Sequence, residues 1–303
     1  MLSLHQREKV DMENPFLKEY ISEKDDLTLV QQAKSGDKKA LEELILKHQP
    51  YIYNIAWKMV RNPTDAKDLT QEVTIKVITK LSQFQGKSGF RTWLYRIVAN
   101  HFLMSKRKPG ETIVDSFDAM ARGLESVPDV PLTELEQKEN EAVIKEMNYM
   151  CMSGMLLCLT REQRLTFILG EMFNADHTIG ADILGISKDN FRKRLSRARK
   201  DIFNFMNNKC GLVNKDNPCR CHKKVTYAME GKVIDSKNLL YNRKEFSNFK
   251  IEIKPSADKV MEVVEEKYVE LYQRMPFKKT FDKKSILRDI LDDKDFKSLL
   301  NLN

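Results

Sequence analysis

Leu69, Val73, Val77 and Leu81 stand four residues apart, with acids, amides and lysines between them. A helix returns the chain to one face at that interval, so the segment reads as an amphipathic α-helix. Asp65 and Asp68 lie in its first turn, where the helix dipole favours carboxylates. The spacing recurs upstream, where Ala40, Leu41, Leu44, Ile45, His48, Ile52, Ile55, Ala56 and Met59 form a second stripe. Pro50 lies inside it and predicts a kink or a restart. Phe90, Trp93, Leu94, Ile97, Val98 and Phe102 form a third stripe, closed by Lys106-Arg107-Lys108 before Pro109. The 303 residues include only 11 glycines and 9 prolines. Few breakers favour long helices and argue against collagen-like, low-complexity and turn-dense β architectures.

A second helical block, residues 142–208, carries the strongest motif. Ile179, Ile183 and Leu184 mark a short helix, Gly185-Ile186-Ser187 a tight turn, and Ser187 suits an N-cap. The helix that follows, from Lys188 to about Phe205, turns Phe191, Leu195, Ala198 and Ile202 inward. Lys188, Arg192, Lys193, Arg194, Arg197, Arg199 and Lys200 face outward, against one early anion, Asp189. A short helix, a glycine turn and a capped cationic helix make a helix-turn-helix. Its apolar side holds the domain, and its long donors reach the acceptors of bases and phosphates. A plain solvated basic helix is the weaker reading, because the preceding helix and turn are at the right spacing. The Phe90 helix offers a second nucleic-acid signal in Arg91, Tyr95, Arg96 and Asn100, since cations among aromatics suit unstacked bases. Phe90 and Trp93 themselves read first as core.

Charge divides the chain. The net charge is +8, which points to an anionic partner. Residues 109–141 reverse it, with nine acids against two bases and three prolines, and read as an acidic linker. Residues 209–303 look like an added, mixed tail. Its strand-like alternation is Phe249, Ile251 and Ile253, and its amphipathic helices are marked by Val260, Val264, Tyr268 and Leu271, and by Ile286, Ile290 and Leu291. Cys210, Cys219, Cys221 and His222 open the tail with donors for a soft metal. The C-x8-C-x-C-H spacing departs from the usual structural zinc pairs, so free thiols in a turn are the favoured reading. Cys151 and Cys158 read as core. No run of about 18 apolar residues and no apolar signal core appear, which predicts a cytoplasmic protein that does not enter the membrane. The carboxylate–amide face of Asp65, Asp68, Gln71 and Glu72 could serve acid–base chemistry. No nucleophile or phosphate-cradling loop accompanies it, so a docking face is expected, with no enzymatic activity and no cofactor.

Two stretches together resemble the bacterial RNA polymerase sigma factors of the extracytoplasmic-function (ECF) group. One is Asp65-Ala66-Lys67-Asp68-Leu69-Thr70-Gln71-Glu72-Val73 followed by Phe90-Arg91-Thr92-Trp93-Leu94-Tyr95-Arg96-Ile97-Val98-Ala99-Asn100; the other is Leu184-Gly185-Ile186-Ser187 with Arg194-Leu195-Ser196-Arg197-Ala198-Arg199. The resemblance spans roughly residues 27–208. It implies a mainly α fold of two helical domains joined by a flexible linker: an N-terminal segment (1–26), a region-2-like domain (27–108), the flexible acidic linker (109–141), a region-4-like helix-turn-helix domain (142–208) and the mixed extension (209–303). It implies that Asp65, Asp68, Leu69, Gln71, Glu72 and Ile75 bind core polymerase. Arg91, Tyr95, Arg96, Asn100, Lys106 and Arg107 would meet the minus-ten element, with the loop from Gln85 to Gly89 lining a pocket for a flipped base. Ser187, Lys188, Asn190, Arg192, Lys193, Arg194 and Arg197 would meet the minus-thirty-five element. The implied partners are core RNA polymerase, promoter DNA, and a regulator that is either an anti-sigma factor or the extension itself. Two residues depart from the family pattern: Gly180 in the first helix of the motif, which costs about 1 kcal/mol of helix stability, and Phe191 where a smaller aliphatic is usual. The rival reading is an ordinary helix-turn-helix regulator with an N-terminal sensor.

Overall fold

A computed structural model describes residues 14–18, 20, 23–112, 115–241, 246–248 and 263–278. The described chain is mainly α. The first block holds α1 (Glu23–Lys34), α2 (Lys38–Val60), α3 (Pro63–Lys80) and α4 (Phe90–Met104). Asp37 caps α2 through its carboxylate on the amides of Lys39 and Ala40, and Asn62 caps α3 with Pro63 at the first helical position. The chain turns from α2 to α3 at Arg61, whose φ of 62° is left-handed. α2 is not broken at Pro50. The carbonyl of Pro50 accepts from Asn54 Nδ2 at 2.8 Å.

The acidic stretch carries local structure: a 3-10 turn at Pro109–Thr112, then α5 (Phe117–Ser126) and α6 (Glu134–Glu139), the latter closed by a capping box between Thr133 and Glu136. Its acids meet the bases of later helices. Glu125 pairs with Lys209 at 2.6 Å, and Asp129 with Lys224 at 2.8 Å.

The second block holds α7 (Glu141–Leu157) and α8 (Arg161–Phe167), which runs on into a π turn at Ile168–Met172. α9 (His177–Leu184) and α10 (Lys188–Lys209) follow. Beyond it stand α11 (Cys221–Glu230), α12 (Val263–Gln273) and a two-stranded antiparallel ribbon of β1 (Phe246–Asn248) and β2 (Pro276–Lys278). α12 realises the helix expected from Val264, Tyr268 and Leu271; Phe249, Ile251, Ile253, Val260, Ile286, Ile290 and Leu291 lie outside the described residues.

One continuous core joins the two blocks and the tail, from Phe16 through Leu44, Leu69 and Leu94 to Phe167, Phe191 and Phe277. Phe16 is fully buried between them, its ring 5.4 Å from Phe173 and 4.7 Å from Tyr95. The tail closes the seam from the other side. The Phe277 ring lies 5.5 Å from Tyr51, Tyr272 packs edge-on to Phe167 at 5.1 Å, and Tyr241 stacks on Trp57 at 5.0 Å. Burying each of these rings contributes about 1.5–3 kcal/mol. No helix among the described residues is long and apolar enough to cross a membrane.

Candidate nucleic-acid interface

The helix-turn-helix forms as the spacing predicts. Asp176 caps α9 through the amides of Thr178 and Ile179. Gly185 ends it in the left-handed region (φ 64°), where a side chain would be strained. The Ser187 hydroxyl accepts from the Asn190 amide and starts α10. Phe191, Leu195, Ala198 and Ile202 are buried on its inner side. Ser187, Lys188, Asn190, Arg192, Lys193 and Arg197 are exposed, and Arg194 is half-buried. Arg192 pairs with the exposed Asp189 at 3.7 Å and donates to Nδ1 of the half-buried His177 at 3.3 Å. Arg199 turns inward instead and pairs with the buried Glu171 on the π turn.

α4 is arranged differently. Tyr95, expected on an outward face, is 1% exposed. Its hydroxyl meets His48 Nδ1 at 3.1 Å, and the other His48 nitrogen lies 3.2 Å from Asp26. Burial pushes the Asp26 carboxyl up, but His48 and Lys47 outweigh it and hold the group below its ordinary range. Arg91 donates to the carbonyls of Pro15 and Leu17 and lies over the Tyr20 ring. Arg96 reaches into the other block, donating through Nε (3.0 Å) and Nη2 (2.6 Å) to the Asp182 carbonyl of α9. Asn100, Lys106 and Arg107 are exposed, as is the loop over Gln85–Lys87.

On α3 the polar face is outward as expected: Asp68 and Glu72 are exposed, and Asp65, Gln71 and Ile75 half-buried. Leu69 is 1% exposed and belongs to the core beneath that face. Glu72 lies 3.0 Å from His101 Nε2 and 3.8 Å from Lys108. Burial and the Lys76 ammonium pull the His101 imidazole below its usual range, against the opposing pull of Glu72.

A buried ion cluster joins the blocks, and nothing in the sequence pattern pointed to it. Glu111, 3% exposed, receives Arg161 at 2.7 Å and Arg164 at 3.1 Å. Arg164 also donates to the carbonyls of Met59, Leu156, Leu157 and Leu159. Burial pulls its guanidinium down to about 10, and burial of Glu111 is outweighed by the bonds from Arg161 and the Lys108 amide, so that carboxyl stays low.

Cys210 and Cys219 are register partners in a lone parallel bridge, and Cys221 begins α11. Burial, then the neighbouring thiols, pushes the Cys221 thiol up to about 12, and Cys151, Cys210 and Cys219 are raised by burial first as well. Among the described residues no three metal-ligating side chains are gathered closely enough to hold an ion. Cys210, Cys219 and Cys221 lie at the turn that leads into α11, and Cys151 on α7.

Residues 44–111 match the family model described as Sigma-70 region 2. The chain is 29% identical over 189 residues to the RNA polymerase sigma-H factor of Pseudomonas aeruginosa, covering 60% of this chain and 94% of that one. It is 30% identical over 183 residues to the ECF RNA polymerase sigma-E factor of Escherichia coli K12, covering 59% and 93%. The same identity and coverage hold for the sigma-E factor of Salmonella typhi. Among solved structures, CnrH in complex with the cytosolic domain of CnrY matches with a TM-score of 0.43 and 21% identity, over 60% of this chain and 97% of that one.

Proposed function

Given that the chain belongs to the ECF group of RNA polymerase sigma factors and directs promoter-specific transcription initiation, we propose how its surfaces divide that work. The observation that carries the reading is the helix-turn-helix, whose cations point outward from a fully buried inner side. Lys188, Asn190, Arg192, Lys193 and Arg197 meet the upstream element, with Asn190 near the helix N-terminus where base contacts concentrate. Asp68, Gln71 and Glu72, exposed or half-exposed above the buried Leu69, dock on core polymerase with Asp65 and Ile75. Asn100, Lys106 and Arg107 continue a cationic path along the end of α4 toward the minus-ten element. The polymerase supplies the chemistry, and this chain, working in the cytoplasm, supplies position.

Arg91, Tyr95 and Arg96 belong to the same minus-ten face but engage protein in the closed arrangement. Freeing Arg96 requires α9 to leave α4, whereas Arg91 is held by the carbonyls of Pro15 and Leu17 and Tyr95 by His48 on α2. The tail works as the chain's own regulator, because Tyr268, Tyr272, Met275 and Phe277 are buried along the seam that must open. An N-terminal sensor coupled to an ordinary regulator is not favoured, since α3 and α4 lie in the segment that matches sigma region 2.

Run-off transcription with purified core polymerase tests the reading. The full chain should start transcripts at a defined promoter, and charge reversal at Asp68 and Glu72 should weaken core binding without unfolding. Unchanged core affinity for that variant removes the α3 assignment. Promoter binding left intact by alanine at both Asn190 and Arg194 removes the α10 assignment.

A further inference from the structure

The two departures from the family pattern, Gly180 and Phe191, touch each other. Phe191 is fully buried on the inner side of α10, in the same turn as Lys188, Asn190 and Arg192. A methyl placed on Gly180 would stand 2.5 Å from both Cε2 and Cζ of the Phe191 ring. No side chain, not even alanine, fits there while the ring keeps its place. A second glycine completes the seat. A methyl on Gly170, in the π turn that ends α8, would lie 2.7 Å from Leu195 Cδ2 and 3.4 Å from Phe191 Cε1. The His177 ring closes the rim, 5.9 Å from Phe191. The buried ridge of α10, Phe191 and then Leu195 one turn on, thus drops into two notches cut by glycines on two different elements.

Helix packing distance depends on the side chains that meet, and helices settle 8–10 Å apart accordingly. A phenyl ring in place of a smaller aliphatic would lift α10 off α9. Gly180 returns that space by having no Cβ. The helix-weakening cost of Gly180 is therefore linked to the bulk of Phe191, and the pair together fixes the depth and tilt of α10. The donors that flank Phe191 stand within one turn of it. Direct readout tolerates misplacement of only about 0.5 Å or 10–20°, so a change in the seat re-aims those donors relative to the base edges.

We propose that Phe191, seated between Gly180 and Gly170, is a positioning residue that selects which upstream promoter sequence the chain reads. The inference rests on α10 being the recognition helix. It adds that selectivity is set from beneath the helix as well as by its outward side chains.

The test uses the full chain bound to core polymerase and a pool of promoters randomised in the upstream element over a fixed minus-ten element. The variants are Phe191→Leu, Gly180→Ala and the two combined. Phe191→Leu should keep core affinity yet reorder preference within the pool, by about fivefold or more at one or more positions, the scale of a single base-specific interaction. Gly180→Ala alone should lower the melting temperature. The combined variant should recover it, because the new methyl occupies space the ring has vacated, while the altered preference remains. Recovery of stability without recovery of preference is the signature a purely structural role would not produce. If every member of the pool weakens by one common factor, or the order is unchanged, the proposal is overturned. Should Phe191→Leu fail to fold, Phe191→Met, longer, unbranched and able to bend into the notch, carries the same measurement and the same two outcomes. A wild-type chain with no preference among upstream sequences would defeat the underlying assignment of α10 instead.

Discussion

α4 and α10 read alike in sequence: each pairs an apolar stripe with cations on its other side. The structure separates them. On α10 the cations Lys188, Arg192, Lys193 and Arg197 face solvent, and the inner side is sealed by Phe191 and Leu195. On α4 the equivalent groups are satisfied within the protein, Arg91 by two carbonyls of the N-terminal segment, Tyr95 by His48, and Arg96 by a carbonyl of α9. A recognition helix that scans duplex DNA needs its donors at the solvent-facing surface before it arrives, and the pair that Arg192 makes with Asp189 is itself exposed. A surface for melted DNA is needed only later, and its donors can be occupied until then. Composition alone cannot distinguish the two cases, because the partners of Arg96 and Arg91 lie 86 and more than 70 residues away.

The largest expected effect comes from the ion cluster that holds α4's block to the next. Glu111→Ala leaves Arg164 buried without its counter-charge, and breaking a buried pair in this way costs about 3–5 kcal/mol. Urea unfolding should show the loss in full. A smaller loss, below about 1 kcal/mol, would mean that the four carbonyl bonds of Arg164 suffice and that the blocks are held elsewhere.

Phe277→Ala acts on the tail. Removing a buried ring costs about 3–5 kcal/mol in a rigid core and less where the site can collapse, so a value near the lower end is expected at a seam. The variant should also raise protease access to the junction of α4 and α9 while leaving α10's outer face as it is. Equal change on both faces would break the contrast between the two helices.

Lys58 offers a pH test of the same seam. Its ammonium is buried, donates to the Pro276 carbonyl of β2 at 3.0 Å, and is pulled by burial down to about 7. The unfolded lysine keeps its proton to about 10.4, so the unfolded chain binds more protons between those values. Stability attached to this group therefore rises from about pH 7 to about pH 10, by up to ~1.4 kcal/mol per pH unit, and the penalty is full below pH 7. Subtracting the unfolding profile of Lys58→Met from that of the wild type isolates the slope. A flat difference would place the ammonium in water and detach the tail from α2.

The helices, the caps at Ser187 and the left-handed turn at Gly185 were legible because they rest on local spacing and local chemistry. So was the buried face of α10. Tyr95 was misplaced outward, since a helical period cannot reveal that His48, 47 residues earlier, supplies a buried partner for its hydroxyl. Glu111 looked like one more acid in a linker, because its arginines lie 50 and 53 residues on. Gly180 and Phe191 were each visible as oddities. Their complementarity was not, because it depends on the angle at which two helices cross. The acidic segment reads as a linker because it lacks a helical period, yet it carries α5 and α6, and its acids find Lys209 and Lys224 on helices the pattern could not place beside it.

The smallest expected effect bears most directly on the comparison. Arg96 is exposed except for its two bonds to the Asp182 carbonyl, so Arg96→Ala should cost only about 0.5–1.5 kcal/mol of stability. Arg192→Ala, whose partners are the exposed Asp189 and the half-buried His177, should change stability by less than about 0.5 kcal/mol. The two variants should part company in function. Arg192→Ala should weaken upstream binding, uniformly if it meets a phosphate and at one position if it meets a base. If Arg96 serves the minus-ten face as proposed, Arg96→Ala should leave upstream binding intact and slow promoter opening, because its donors are spent on the Asp182 carbonyl of α9 and would turn to DNA only after α9 moves. A footprint of the upstream element together with a permanganate probe of melted thymines reads both events in one sample. If Arg96→Ala weakens the upstream footprint as much as Arg192→Ala does, the two helices do the same work and the distinction between a poised and an occupied surface fails.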